Sequence, residues 1–274
     1  SGGGDSGNAT GNESAGGSGG GERIIAGTAP GFPPFEMKDE NGDLVGFDVD
    51  LLEAVVEPTS YTIGEWKTFE FSSLIPALRN DRIDVIAAAL TINEERKESI
   101  AFSNPYYSAD QAVLVAADGD FSPSSLDDLS GHTLGAQEGT TGAGVVKDQL
   151  IAKDKLQQSN FNTYGSYVLS IEDLENGNVD AVVLDKPVAE TFASQRDVRV
   201  AFVYETGEEY GFGIRQDASD LQSALNSGLE EVRSGGTYEE LRNEWFGGSP
   251  PVTTTSGSGN ATGGTGNATT GSAN

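Results

Sequence analysis

Thr91 and Arg96 stand where an apolar run, Ile83 and Val85 to Leu90, empties into the polar stretch Asn93-Glu94-Glu95-Arg96-Lys97. A guanidinium presents a rigid fork of donors that matches a carboxylate bidentately, and the Thr91 hydroxyl can reach the same anion. The spacing suits a carboxylate clamp, against the plainer reading of Arg96 as one more solvated charge on a short helix. An opposite charge, Asp185, ends a second apolar run, Val179-Asp180-Ala181-Val182-Val183-Leu184. A carboxylate there is costly unless paired or wet, although it could also cap a helix beginning near Pro187. A third feature, Gly139-Thr140-Thr141-Gly142-Ala143-Gly144, follows a strand and opens a helix, so its backbone N–H groups can converge on an anion. It lacks the Gly-Lys-Ser/Thr of a nucleotide-phosphate loop and departs in spacing from the dinucleotide fingerprint. Phe32, in the loop Pro30-Gly31-Phe32-Pro33-Pro34-Phe35, and Phe71, just before a helix, offer either walls for a ligand or staples for the core.

Positioning these groups takes strands that alternate with helices. Strands are expected over residues 23–28, 61–68 and 83–89, a tight turn at Glu40 to Asp43, and helices over 48–56 and 72–79. A second cycle offers strands over 112–117, 132–136, 160–164 and 179–184, a helix capped by Ser125, and helices from Gly142 and over 167–176. Strands over 198–204 and 210–214 then precede helices over 220–233 and 237–245. This alternation predicts an α/β protein with two lobes, each a mainly parallel sheet flanked by helices. Open α/β sheets bind ligands outside the carboxyl ends of their strands, and the candidate residues all sit at strand exits.

Composition narrows the partners. The chain has 274 residues and a formal charge of −27, from 43 acids and 16 bases. Such an acidic surface disfavours nucleic acid and anionic lipid. There is no cysteine and a single histidine, His132, so thiolate and zinc sites are not expected, and no motif asks for a cofactor. No run approaches the length of a membrane span. Residues 1–21 and 248–274 are Gly, Ser, Thr and Asn rich and read as disordered tails. They carry sequons at Asn8, Asn12, Asn260 and Asn267, which suggest a glycoprotein displayed outside the cell. The start at Ser1-Gly2-Gly3-Gly4 suggests that a signal segment has been removed, with anchoring through a lipidated N-terminus. Acid excess, few lysines and many small residues together resemble secreted proteins of salt-loving archaea.

Three further blocks, Gly46-Phe47-Asp48-Val49-Asp50-Leu51, Phe71-Ser72-Ser73-Leu74-Ile75-Pro76-Ala77-Leu78 and Phe102-Ser103-Asn104-Pro105-Tyr106, occur in order around the Thr91 and Arg96 segment. From about Glu22 to Gly247 the chain resembles the polar amino-acid-binding proteins of ABC importers. These are the extracellular solute-binding proteins of family 3, among them glutamine, histidine and lysine/arginine/ornithine binders. The resemblance implies the two-lobed periplasmic-binding-protein fold of type II, with lobe 1 at 22–109, lobe 2 at 110–206 and a return to lobe 1 at 207–247. It places two hinge strands near Tyr107 to Ala112 and Glu205 to Gly211. It also implies that Arg96 and Thr91 hold a ligand carboxylate opposite a backbone N–H of Thr141. Asp185 would hold the α-ammonium, and Phe32 and Phe71 would sandwich the side chain, with Ala89 and Gln137 completing the site. Where relatives that take cationic side chains carry an acid, this chain has Ala29, and where some amide binders carry lysine it has Gln137. The expected ligand is therefore a neutral polar amino acid, glutamine first, passed by a monomeric, non-catalytic protein to a membrane permease. The rival readings are a secreted cyclohexadienyl or arogenate dehydratase of the same fold, with Glu138 as its general acid, and a ligand-sensing domain.

Overall fold

The computed structural model describes residues 21–247. The expected tails and their four sequons fall outside the described residues, apart from Gly21. Strand β1, Glu22–Thr28, turns its second half inward and leads into a loop and the short hairpin β2, Met37–Lys38, and β3, Leu44–Val45. Asp39 fixes the hairpin turn, because its Oδ1 accepts the N–H groups of Asn41 and Asp43, each at 2.9 Å. Helix α1, Phe47–Val56, places Asp48 and Asp50 in its first turn and buries Phe47, Leu51, Leu52, Val55 and Val56. Strand β4, Tyr61–Thr68, pairs in parallel with β1 from Glu22 opposite Tyr61 to Thr28 opposite Thr68. A tight turn at Phe71–Ser73 opens α2, Leu74–Arg79. Strand β5, Val85–Ile86, helix α3, Glu94–Lys97, and strand β6, Ala101–Phe102, complete this part of the chain.

Strand β7, Tyr107–Ala116, crosses to a second sheet. That sheet takes up β8, Leu134–Gln137, and β9, Phe161–Tyr164, with helices α4, Thr141–Val145, and α5, Tyr167–Glu175, between and after them. Strand β10, Ala181–Asp185, and helix α6, Lys186–Gln195, follow. The long strand β11, Val198–Tyr210, then runs antiparallel to β7 from Val198 opposite Ala116 to Tyr210 opposite Tyr107. The chain closes with β12, Gly213–Ile214, and helices α7, Ser219–Ser234, and α8, Thr237–Phe246. The strand order is β4-β1-β5-β12-β6 in the first sheet and β11-β7-β10-β8-β9 in the second, so two lobes share the crossing pair β7 and β11. The last segment returns to the first lobe. There α7 approaches α1 so closely that a Cβ on Gly228 would lie 2.0 Å from the Val55 carbonyl oxygen, and Trp245 of α8 donates to Asp50 at 2.7 Å.

Both sheets are mixed rather than mainly parallel. β12 joins β5 and β6 antiparallel, and β7 joins β10 and β11 antiparallel, because a chain that crosses between lobes and returns must enter each sheet from the opposite end. Three other elements differ from the sequence expectation. The apolar run over 83–89 makes ladder pairs only at Val85–Ile86; beyond it the Ala87 N–H still donates to the Gly27 carbonyl at 3.0 Å, and Ala89 takes a left-handed backbone with φ 46°. The breaks expected between 204 and 210 are instead a register irregularity inside one strand, with Asp110 Oδ1 accepting from Thr206 N at 2.9 Å and Gly207 N at 2.8 Å. The helix expected after Ser125 is a single tight turn, Leu126–Leu129, closed by a capping box between Ser125 and Asp128.

Candidate functional site

Arg96 owes its position to a local cap. Asn93 accepts the Arg96 backbone N–H at 2.8 Å and so starts the one-turn helix α3 at the exit of the β5 segment. The side chain turns inward and is 8% exposed. Its Nη1 donates to the Thr91 carbonyl at 2.7 Å and its Nη2 to the Gly139 carbonyl of the other lobe at 3.0 Å. The guanidinium carbon lies 5.4 Å from the centre of the Phe71 ring. Two of five donors are used in this way, which leaves three for an anion. Burial lowers the Arg96 pKa, and the fields of Asp185 and Glu208 oppose that shift. Beside it the Thr141 hydroxyl donates to the Thr91 hydroxyl at 2.8 Å, a second bond between the lobes.

The glycines of the 139–144 segment serve packing as well as the turn. A Cβ on Gly142 would meet the Val183 carbonyl oxygen at 2.5 Å, so only glycine lets α4 lie this close to β10. Thr140 caps α4 by accepting the Ala143 N–H at 3.2 Å, and Thr141, the first residue of the helix, lines the cleft with its backbone N–H free of an intrahelical partner.

Asp185 lies at the carboxyl end of β10 and starts α6, yet its side chain makes no cap hydrogen bond. It accepts instead from Gln111 Nε2 of β7 at 2.8 Å and from the Tyr210 hydroxyl of β11. The same Gln111 nitrogen donates to Glu208 of β11 at 2.6 Å, so one amide bridges two buried carboxyl groups. Burial raises both acids, and Glu208, in the field of Asp185, is pushed up to about 9.

A third buried acid completes the cleft. The loop after β1 folds back so that Phe32 and Glu36 form an antiparallel bridge, which puts their side chains on the same side. Glu36 is 1% exposed, and neither carboxylate oxygen has a hydrogen-bond partner among the described residues. Burial holds its carboxyl well above the usual range, and the charges of Asp48 and Asp185 add to that shift. Glu36, Phe32, Phe71, Ala89, Thr91, Gln137, Thr141 and Asp185 line one narrow pocket between the lobes. Arg96 stands beside it, lining the open cleft that shares Phe71, Thr140 and Thr141 with the cavity. The Phe32 ring reaches across to Tyr167 of the second lobe, with centroids 5.7 Å apart. Gln137 donates to the Gly165 carbonyl at 2.9 Å, which fixes its amide at the cavity wall. Ala89 is held by its neighbours: Asp48, at the start of α1, accepts the Ala89 N–H at 2.6 Å and the Tyr106 hydroxyl at 2.5 Å. Burial raises the Asp48 carboxyl to about 7.

All eight residues singled out from the sequence therefore gather in one region. Glu36, Gln111, Glu208 and Tyr210 were not among them. Glu36 carries a weak signal, one residue past the Pro-Pro-Phe loop, whereas the other three meet Asp185 only through the pairing of β7, β10 and β11. Glu138, the acid that a dehydratase would need, is exposed and lines no part of the cavity.

Known proteins share this architecture. A putative ABC transporter arginine-binding protein 2 of Escherichia coli (strain K12) is 34% identical over 82% of this chain and 91% of its own length. An ancestral arginine-binding protein, solved bound to arginine and bound to glutamine, is 38% identical with a TM-score of 0.76, covering 82% of this chain and 98% of that one. An ancestral amino acid-binding protein described as a precursor of cyclohexadienyl dehydratase is 32% identical with a TM-score of 0.74, covering 82% and 95% of the two chains. The two lobes are thus those of the periplasmic-binding-protein fold, and these relatives are named as binders of amino acids. Residues 24–248 match bacterial extracellular solute-binding proteins, family 3, and the chain belongs to that family.

Proposed function

We propose that this protein closes outside the cytoplasm on an α-amino acid with a cationic side chain, arginine first, and delivers it to the permease of an ABC importer. The observation that carries this reading is the set of charges gathered at the cleft, with Arg96 lining its open part and Asp185 and the carboxyl of Glu36, unpartnered among the described residues, lining the adjoining pocket. Arg96 takes the α-carboxylate through its free donors, with the Thr91 hydroxyl and the Thr141 N–H beside it. Asp185, fixed by Gln111 and Tyr210, takes the α-ammonium. Phe32 and Phe71 flank the side chain, where cation–π contact with a guanidinium is worth about 0.5 to 2 kcal/mol. Glu36 accepts its N–H groups, and Ala89 and Gln137 complete the wall.

The absence of an acid at position 29 argued for a neutral ligand such as glutamine. Glu36 supplies that charge from seven residues further on, at the far strand of the folded-back loop. Glutamine remains the second reading, supported by the glutamine complex of the ancestral relative and by the amide of Gln137. Closure selects the bound state: a ligand held by Arg96 from one lobe and Asp185 from the other adds contacts that exist only when the lobes meet. The boundaries 22–109 with 207–247 for one lobe and 110–206 for the other go with this mechanism, as does a monomeric protein.

A thermal-shift panel of the twenty amino acids in molar KCl tests the specificity. Arginine should stabilise the wild type most, and in Glu36→Gln glutamine should overtake it. A wild-type ranking led by glutamate, or a ranking unchanged in Glu36→Gln, would overturn the assignment.

A further inference from the structure

Glu36 is a carboxyl group with 1% exposure whose two oxygens receive no hydrogen bond from any of the described residues. An ionised carboxylate in that state carries the whole cost of desolvation, which is why such groups take up a proton instead. The groups around it push the same way. Asp48 faces it from α1 and Asp185 from β10, and both are acids, while Tyr106, beyond Asp48, is a hydroxyl that bonds to Asp48 rather than to Glu36. The cavity wall around Glu36 is otherwise neutral: Ala29, Phe32, Phe71, Ala88, Ala89, Thr91, Gln137, Thr140 and Thr141. Arg96, the base that lines the adjoining cleft, is engaged with two carbonyl oxygens.

A carboxyl group offers different chemistry in its two states. Protonated, it has one O–H to donate and an oxygen that accepts; ionised, it accepts only, from as many as four directions. A guanidinium has only donors, whereas a carboxamide has both kinds of group. We infer that Glu36 adapts its protonation to the ligand: it stays protonated and donates its O–H to the carbonyl of a neutral amide side chain, and it releases that proton when a cationic side chain enters. The inference rests on the proposed site. Its proton balance closes without any co-reactant: the Glu36 O–H bond breaks, the proton leaves to bulk buffer, and the positive charge of the side chain replaces it beside the carboxylate. One cavity can then accept an arginine and a glutamine with the same wall, because the charge of the cavity follows that of the guest.

The proton count separates this mechanism from ordinary pH dependence. Asp185, Glu208 and Asp48 meet parts of the site common to every amino acid, so any protons they exchange are the same for arginine and for glutamine. Titration calorimetry in molar KCl at about pH 6, in two buffers of different ionisation enthalpy, gives the number of protons released by each ligand. Arginine should release about one proton more than glutamine. The ratio of arginine to glutamine affinity should rise roughly tenfold per pH unit wherever Glu36 is protonated without arginine. In Glu36→Gln, which retains an amide donor in the cavity, glutamine should still bind, and both the extra proton and the pH dependence of the ratio should vanish. Equal proton release by the two ligands, or an extra proton that survives in Glu36→Gln, overturns the inference while leaving arginine binding intact. A protein that binds glutamine and not arginine overturns the proposed specificity and this inference together.

Discussion

At the scale of single residues, the two charged ends of the cleft were legible and the third charge was not. Arg96 and Asp185 each end an apolar run, and a charge in that place announces either a partner or a ligand. Glu36 announces little in the sequence beyond its place after the Pro-Pro-Phe loop, because only the backward fold of that loop, with Phe32 bridged to Glu36, turns it into a pocket with no hydrogen-bond partner among the described residues. Glu208 is hidden for a different reason: its neighbour Asp185 arrives from β10 through Gln111 of β7. Arg96 carries the sharpest prediction of this kind. Arg96→Ala leaves a ligand carboxylate unpaired in a closed cleft, at about 3 to 5 kcal/mol, or roughly two to four decades of affinity. Lysine restores only part of that, since a single ammonium has no fork. Undiminished binding in titration calorimetry would mean that the Arg96 donors serve only the Thr91 and Gly139 carbonyls.

At the scale of elements, periodicity located most strands and helices within a residue or two, and long-range pairing decided the rest. Tyr61–Thr68 stands over the residues its alternation indicates. The crossing strand β11 does not, since Thr206 and Gly207 read as a loop until Asp110 of β7 accepts both of their N–H groups. Apolar length alone could not say where the β5 ladder stops. It stops at Ile86, and three residues on the left-handed Ala89 is tied to Asp48 of α1. Helix α7 shows the same dependence on a partner, because Gly228 is required only where α1 presents the Val55 carbonyl. Gly228→Ala should push the two helices apart and lower stability by about 1 to 3 kcal/mol, the usual cost of overpacking. Denaturant titration should show the midpoint fall, with the arginine affinity of the folded fraction retained because neither Gly228 nor Val55 lines the cleft. An unchanged midpoint would show that the return segment is free to shift.

For the whole molecule, charge is the dominant condition. Repulsion among 43 acids against 16 bases opposes compaction, and salt screens it, so the melting temperature should climb steeply from dilute buffer to molar KCl. A flat response would remove the halophilic reading. Burial acts separately, and salt does not relieve it. Glu36, Asp48, Asp185 and Glu208 are all raised, Asp48 to about 7 and Glu208 to about 9. A raised carboxyl stabilises the fold while it holds its proton, and that contribution is lost as pH rises through its folded value. The ligand-free melting temperature in molar KCl should therefore fall between about pH 5 and pH 9, and saturating arginine, which ionises Glu36 productively, should flatten the fall. The central claim concerns how one ligand spans both lobes, and a crystal structure of the arginine complex tests it most directly. The account predicts the α-carboxylate on Arg96 and the Thr141 N–H, the α-ammonium on Asp185, and the guanidinium between Phe32 and Phe71 with its N–H groups on Glu36. An arginine bound with its α-groups away from Arg96 and Asp185, or with its guanidinium in solvent, would contradict it.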